Sequence, residues 1–159
     1  MDIFSIAIQM EKEGAAFYQE LASKTTTKGL QSIFTMLAED EVKHQQVFTT
    51  LKQNTIPVMV PSKAEKSAKT IFKSFKKDDF KKETNQMKLY EKALDIEENS
   101  IEFYTSQINT LKTEEMRKAV EAIIREENSH YSMLEELIKM LNRPNSWVED
   151  AEFGVREDY

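Results

Sequence analysis

The chain has 159 residues, 31% of them charged, and a formal net charge of −6. This length corresponds to one domain with a single sizeable core, and three Gly and three Pro are too few for the turns between closely spaced strands. The acidic balance argues against nucleic-acid binding, and no apolar run or basic leader indicates a membrane span or signal peptide. Because cysteine is absent, any metal must be bound by nitrogen and oxygen. We therefore expect an all-α, cytoplasmic protein.

The first part of the chain predicts a helical hairpin. Apolar residues recur at helical spacing from Asp2 to about Lys24, and again from Leu30 to Leu51. The stretch TTTKG at 25–29 interrupts the pattern. A turn this short joins two antiparallel helices.

Residues 54–83 are predicted to form a crossover to a second hairpin. The stretch NTIPVMVP ends the second helix with two prolines, and Ser62 and Glu65 match the Ser-x-x-Glu capping box of a further short helix. We interpret the lysines of that helix as a solvated face and not as an anion-binding patch.

The second hairpin is predicted between Glu83 and Asn142. Its first helix runs from near Glu83 to about Asn109, and its second starts at Thr113. We place the bundle domain at 1–143 and a C-terminal tail at 144–159. In this tail, Trp147 and Phe153 are expected to pin the chain to the bundle.

The two halves form a repeat with a shift of 86 positions. EVKH at 41–44 aligns with ENSH at 127–130, and EKEGAAFY at 11–18 aligns with EENSIEFY at 97–104. The matched polar positions are Glu11 with Glu97, Tyr18 with Tyr104, Glu41 with Glu127, and His44 with His130. A core explains matched Phe and Leu, but it does not explain matched Glu and His.

The repeat predicts a polar cluster at mid-bundle. Residues three apart share a helix face, so each Glu-x-x-His presents an oxygen and a nitrogen in one direction. Glu11 and Glu41 each lie about fifteen residues from the turn near Thr26, and the second half repeats this arrangement around Lys112. For the glutamates of both hairpins to lie at the same level along the bundle axis, the second and third long helices must be parallel. The crossover then runs along the bundle or passes to a second subunit.

Two divalent cations would compensate such a cluster. Four buried carboxylates cost several kcal/mol each if their charges are unpaired. One Glu from each of two helices and a Glu-x-x-His from each of the other two is the general ligand set of di-iron and di-manganese bundles. The neighbouring acids are expected to be solvated: Glu13, Glu39, Asp40, Glu98 and Glu126.

Over residues 1 to about 142, these motifs resemble the ferritin-like superfamily and, within it, the rubrerythrin-type proteins. The resemblance implies an all-α, ferritin-like four-helix bundle of two pseudo-repeated antiparallel hairpins. It implies a six-residue ligand set: bridging Glu41 and Glu127, terminal Glu11 and Glu97, and one histidine for each metal, His44 and His130. Tyr18 and Tyr104 would orient ligand carboxylates by hydrogen bonding.

The resemblance also implies a function. Two iron ions would serve as cofactor, with manganese or zinc as alternatives, and hydrogen peroxide or dioxygen would be reduced. Because the chain lacks the cysteines of a rubredoxin-type iron site, an external electron-donor protein is expected. Ser100 also stands where the family places an extra glutamate. Ferroxidase activity or iron handling, and a purely structural metal pair, remain alternatives; a homodimer, domain-swapped or not, is the expected assembly.

Overall fold

The computed structural model describes residues 2–76, 79 and 84–142, and these residues are predominantly helical. The α-helices are α1 (Ile3–Lys24), α2 (Lys28–Lys52), α3 (Ala64–Lys73), α4 (Met87–Gln107) and α5 (Glu114–Asn142). Short 3-10 turns at Thr84–Gln86 and Ile108–Thr110 flank α4. The predicted all-α class is confirmed.

Local capping explains where two of the long helices begin. The Asp2 carboxylate accepts a hydrogen bond from the Ser5 backbone N–H at 2.9 Å and starts α1. The Thr113 hydroxyl accepts one from the Met116 N–H at 3.1 Å and starts α5. These bonds satisfy backbone donors that have no partner within the helix itself.

The capping box predicted at Ser62 and Glu65 is wrong. The Ser62 hydroxyl accepts from the Ala64 N–H at 3.1 Å, but it also donates to the Asp40 carboxylate of α2. Glu65 accepts from the Ser129 hydroxyl of α5 at 3.1 Å instead of turning back to cap the helix. Partners on the bundle have replaced the local ones, and they dock α3 against α2 and α5.

The second and third long helices, α2 and α4, run parallel, as the positions of the glutamates in the sequence predict. Tyr18 contacts Glu97, and Glu11 contacts Tyr104, so residue numbers rise along α1 as they fall along α4. The turn at 25–27 makes α2 antiparallel to α1. Consequently α2 and α4 are parallel, and the crossover with α3 runs back along the bundle.

The core consists of two apolar clusters separated by a polar layer. One cluster, which includes Leu21, Phe34 and Tyr90, lies towards the turn between α1 and α2. The other, which includes Phe48, Leu51 and Ile123, lies towards the opposite end. The polar layer is therefore enclosed along the bundle axis by hydrocarbon on both sides.

Two further observations bound the description. Among the described residues, no helix combines the length and apolar character needed to cross a bilayer. Trp147 and Phe153 of the predicted tail lie outside the described residues.

Candidate metal centre

The structure brings all six predicted ligand residues into one buried layer. Helices α1 and α4 each contribute one glutamate, and α2 and α5 each contribute a Glu-x-x-His pair. Their exposed fractions are all 2% or less: Glu11, Glu41, His44, Glu97, Glu127 and His130. Ionisable side chains are almost never this buried unless they are paired or bind a metal.

The six residues form two overlapping groups of four. In each group, one ligand atom from every residue lies within 4.8 Å of the others. The first group is Glu11, Glu41, His44 and Glu127; the second is Glu41, Glu97, Glu127 and His130. Glu41 and Glu127 belong to both groups, so the layer offers two adjacent places that could each hold a metal ion, with two carboxylates in common.

The histidines face each other across this layer. The Nδ1 atom of His44 lies 3.1 Å from Glu11 Oε1, and the Nδ1 atom of His130 lies 3.0 Å from Glu97 Oε2. Their ring centroids are 6.2 Å apart, with an angle of 20° between the planes. Both imidazoles therefore turn Nδ1 towards the carboxylates and Nε2 away from them.

Each outward-facing nitrogen contacts an acid from the other half of the molecule. His44 Nε2 lies 2.8 Å from Glu126 Oε1, and His130 Nε2 lies 2.9 Å from Asp40 Oδ2. A histidine that binds a metal commonly donates its second ring N–H to a carboxylate, which fixes the tautomer and the ring orientation. The two histidines are therefore oriented as metal ligands require.

The expectation that Asp40 and Glu126 are solvated is wrong. Asp40 is buried, and Glu126 is only partly exposed. The signal that identifies them is the repeat itself, because a shift of 86 places Asp40 on Glu126. For Glu13, Glu39 and Glu98 the expectation of exposure is confirmed.

The two tyrosines connect opposite halves of the site. The Tyr18 hydroxyl donates to Glu97 Oε2 at 2.7 Å, and the Tyr104 hydroxyl donates to Glu11 Oε2. Burial and the adjacent carboxylates raise the pKa of both phenols far above its usual value. Both hydroxyls therefore remain protonated and act as permanent donors to the carboxylates.

Gly14 makes room for one of the shared carboxylates, and the sequence reasoning overlooked it. A Cβ atom at this position would lie 2.7 Å from Glu41 Oε2. Glycine inside a helix costs about 1 kcal/mol relative to alanine. The chain has only three glycines, so a glycine in the middle of a predicted helix indicates a position where a side chain would not fit. Under the shift of 86 its counterpart is Ser100, which is also buried.

Burial and mutual repulsion disfavour charge on three of the four carboxyl groups. Both effects raise the pKa of Glu11 and Glu41, and they raise that of Glu97 to about 7. For Glu127, burial acts in the same direction, but attraction to the two imidazoles outweighs it and lowers the pKa. Without cations, the site retains protons.

The neighbouring carboxylates favour the charged form of both histidines. Burial alone would lower the pKa of His44 and His130, but the surrounding carboxylates outweigh it, and the pKa of each is raised well above 6.5. In the absence of metal, imidazolium groups supply part of the positive charge that the carboxylates require. Metal binding must therefore release protons.

The hydrogen bonding of the layer fits a pair of cations. Within the described residues, four buried carboxylate oxygens have no hydrogen-bond donor: Glu41 Oε1, Glu97 Oε1, and both Glu127 Oε1 and Oε2. A buried acceptor without a donor costs roughly 1–3 kcal/mol, and more when it is charged. Cations between the carboxylates would satisfy these oxygens, and imidazole with carboxylate is a donor set suited to first-row divalent metals.

A family model described as rubrerythrin matches residues 2–138. The chain belongs to the rubrerythrin family. The matched range contains all six residues of the layer and both tyrosines, and membership together with the buried carboxylate–histidine groups indicates a di-metal site. No curated protein and no solved structure matches this rubrerythrin-family chain.

Proposed function

We propose that this rubrerythrin-family protein is a non-haem di-iron oxidoreductase that reduces hydrogen peroxide or dioxygen. One observation carries the proposal: two buried groups of ligand residues have Glu41 and Glu127 in common. Two ions held by the same pair of carboxylates stay adjacent, which allows both to act on one small molecule.

The proposed ligand roles follow the two groups. Each ion has four side chains available, namely the two common carboxylates, one further glutamate and one histidine. Glu41 and Glu127 would hold both ions, Glu11 and His44 would complete the site of one ion, and Glu97 and His130 that of the other.

The protein supplies a shielded and rigid environment. When bound, two ferrous ions together supply the two electrons that, with two protons, convert one hydrogen peroxide into two water molecules. Apolar clusters on both sides of the layer restrict water. Hydrogen bonds from Tyr18 and Tyr104 hold the terminal carboxylates in place.

Turnover then requires an electron donor. The sequence has no cysteine, so it contains no thiolate iron site that could relay electrons. We therefore assign the return of the ferric ions to the ferrous state to an external redox protein.

A single-turnover experiment tests the proposed reaction. The apo-protein is loaded anaerobically with two ferrous ions per chain, and one equivalent of hydrogen peroxide is added while absorbance is followed. We expect two irons to be oxidised per peroxide, with full reversal by dithionite. Glu41→Gln should abolish this, whereas Glu39→Gln, a change of an exposed neighbouring acid, should not.

Other outcomes assign the protein to the alternative functions. With ferrous iron in excess and oxygen present, iron that accumulates well beyond two ions per chain would indicate iron handling. Two tightly bound ions that neither peroxide nor dioxygen oxidises would indicate a structural pair. Either outcome would overturn the proposed reaction.

A further inference from the structure

The two binding positions differ in the acids that hold their histidines. Asp40, the partner of His130, has a side chain that is 5% exposed, whereas Glu126, the partner of His44, has one that is 21% exposed. Asp40 also accepts a hydrogen bond from Ser62 in the crossover. The Asp40 side is therefore held from two directions and shielded from solvent, and the Glu126 side is not.

A surface pocket reaches the site on the Glu126 side. It has a volume of about 230 Å³, and both His44 and Glu126 line it. Its other walls include Val47 and Thr50 of α2 and Val58 of the crossover. The pocket thus connects solvent with the outward face of one of the two histidines.

The chain segments that lie over Asp40 and over Glu126 also differ in structure. Beyond Ser62, on the Asp40 side, the crossover forms helix α3, whose Ala64, Ala68 and Phe72 are buried. On the Glu126 side, residues 57–60 have no regular secondary structure, and Val58 and Val60 are exposed. A segment without helical hydrogen bonds and with few buried side chains opens at low cost in free energy.

We propose that the metal position built on His44 exchanges its ion through this pocket, the port, whereas the position built on His130 is closed. This inference rests on the proposed two-metal site and adds the order in which the two ions leave it. The ion at the His44 position is released first.

Glu126 is the residue in the port that an incoming cation meets. It is the one acidic side chain among the port's lining residues, and it lies between solvent and His44 Nε2. A partly exposed carboxylate can leave the imidazole, bind the cation and return, which the buried Asp40 cannot do without breaking its bond to Ser62.

Plugging the port tests the proposal. The chain has no cysteine, so Thr50→Cys introduces a unique thiol in the port, and a bulky methanethiosulfonate reagent can block it reversibly. The matched control is Ser132→Cys, an exposed α5 residue that lines a different surface pocket beside α3. Each protein is loaded with two cobalt(II) ions per chain, and release into excess chromogenic chelator is recorded.

We expect release in two phases of equal amplitude. Modification of Thr50→Cys should slow the fast phase several-fold and leave the slow phase unchanged; reductant should restore the rate, and modified Ser132→Cys should behave as wild type. Assignment uses Glu11→Gln, which should remove the fast phase, and Glu97→Gln, which should remove the slow one.

Three results overturn the inference while leaving the two-metal site intact. They are a single release phase for both ions, equal slowing of both phases, and no effect of the plug. Failure to load two ions at all would instead contradict the proposed function, so the two failures are distinguishable.

Discussion

Asp40 and His130 are separated by 90 positions in the chain and joined by a hydrogen bond of 2.9 Å between Oδ2 and Nε2. The corresponding contact in the repeat joins Glu126 Oε1 to His44 Nε2 at 2.8 Å. Each hairpin therefore provides the acid that orients the other hairpin's histidine. It follows that neither hairpin can build its own half of the site alone.

Removing the charge of either acid should weaken one metal position. Asp40→Asn replaces the charged partner of His130 by a neutral amide, and Glu126→Gln does the same for His44. Loss of such an outer hydrogen bond typically costs 10–100-fold in metal affinity, and we expect that loss for one of the two ions in each variant. Titration with cobalt(II) against a competing chelator measures both affinities.

The matched control for this pair is Glu39→Gln, which removes an exposed acid next to Asp40. It should leave both affinities unchanged. If Asp40→Asn and Glu126→Gln bind both ions as tightly as wild type, the histidine contacts have no part in metal binding.

The tyrosine hydroxyls should matter for the loaded protein. Tyr18→Phe removes the donor to Glu97, and Tyr104→Phe removes the donor to Glu11. A hydrogen bond to a charged group contributes about 1.5–3 kcal/mol, so we expect roughly a tenfold or greater loss of affinity for one ion. Tyr131→Phe, on the same bundle but only partly buried, is the control; an equal effect there would argue for general destabilisation.

Gly14→Ala should separate stability from metal binding. The added Cβ would stand 2.7 Å from Glu41 Oε2, the free end of a flexible side chain that can move aside in the apo-protein. Alanine favours the helix by about 1 kcal/mol, so urea unfolding should show an apo-protein at least as stable as wild type. Binding of both ions should weaken, because Glu41 belongs to both groups.

A second glycine provides the comparison. In Gly29→Ala the new Cβ would lie 2.6 Å from Ile71 Cγ2, far from the polar layer. This variant should lose stability through strained packing of α3 while binding metal normally. If Gly14→Ala binds both ions as wild type does, Glu41 does not need the space that Gly14 leaves.

The metal-free protein should lose stability as pH rises. The pKa of Glu97 is about 7 in the folded protein against an ordinary 4.5, so the folded state binds the extra proton, and its stabilisation is lost as pH rises through about 7. His44 and His130 act in the same direction: their contribution is complete below pH 6.5 and is lost as pH rises through their raised pKa values. The lowered pKa of Glu127 acts oppositely, but its contribution to stability is complete above the ordinary pKa of 4.5 and is lost only as pH falls below that value.

Thermal unfolding at pH 6 and pH 8 checks this dependence. We expect a lower Tm at pH 8 for the metal-free protein, with a free-energy difference on the order of a few kcal/mol. Metal should raise the Tm most at pH 8, because bound cations replace the protons. A metal-free Tm that is equal at both values, or higher at pH 8, would contradict a buried cluster of carboxylates.

The sequence was sufficient to predict the long helices and to identify the six residues that meet at the centre of the bundle. Helical periodicity delimits the hairpins, and the shift of 86 isolates Glu41 with Glu127 and His44 with His130, because a packed core has no other use for matched polar residues. What it could not supply was the outer layer. Whether Asp40 is buried depends on Ser62 and His130, which only the folded chain brings together.

Local rules also failed where long-range contacts competed with them. Ser62 and Glu65 satisfy the spacing of a capping box, yet Ser62 is drawn to Asp40 and Glu65 to Ser129. A side chain that can reach a partner on another helix need not cap its own. Sequence spacing alone does not reveal which partner prevails.

The most direct test of the di-metal centre compares Glu41→Ala with Glu11→Ala in an anaerobic ferrous iron titration. Wild type should bind two ions per chain. Because Glu41 belongs to both groups and Glu11 to only one, Glu41→Ala should lose both tight ions and Glu11→Ala only one, while circular dichroism shows both variants folded. A wild-type protein that binds fewer than two ions, or a folded Glu41→Ala variant that still binds two tightly, would contradict the account.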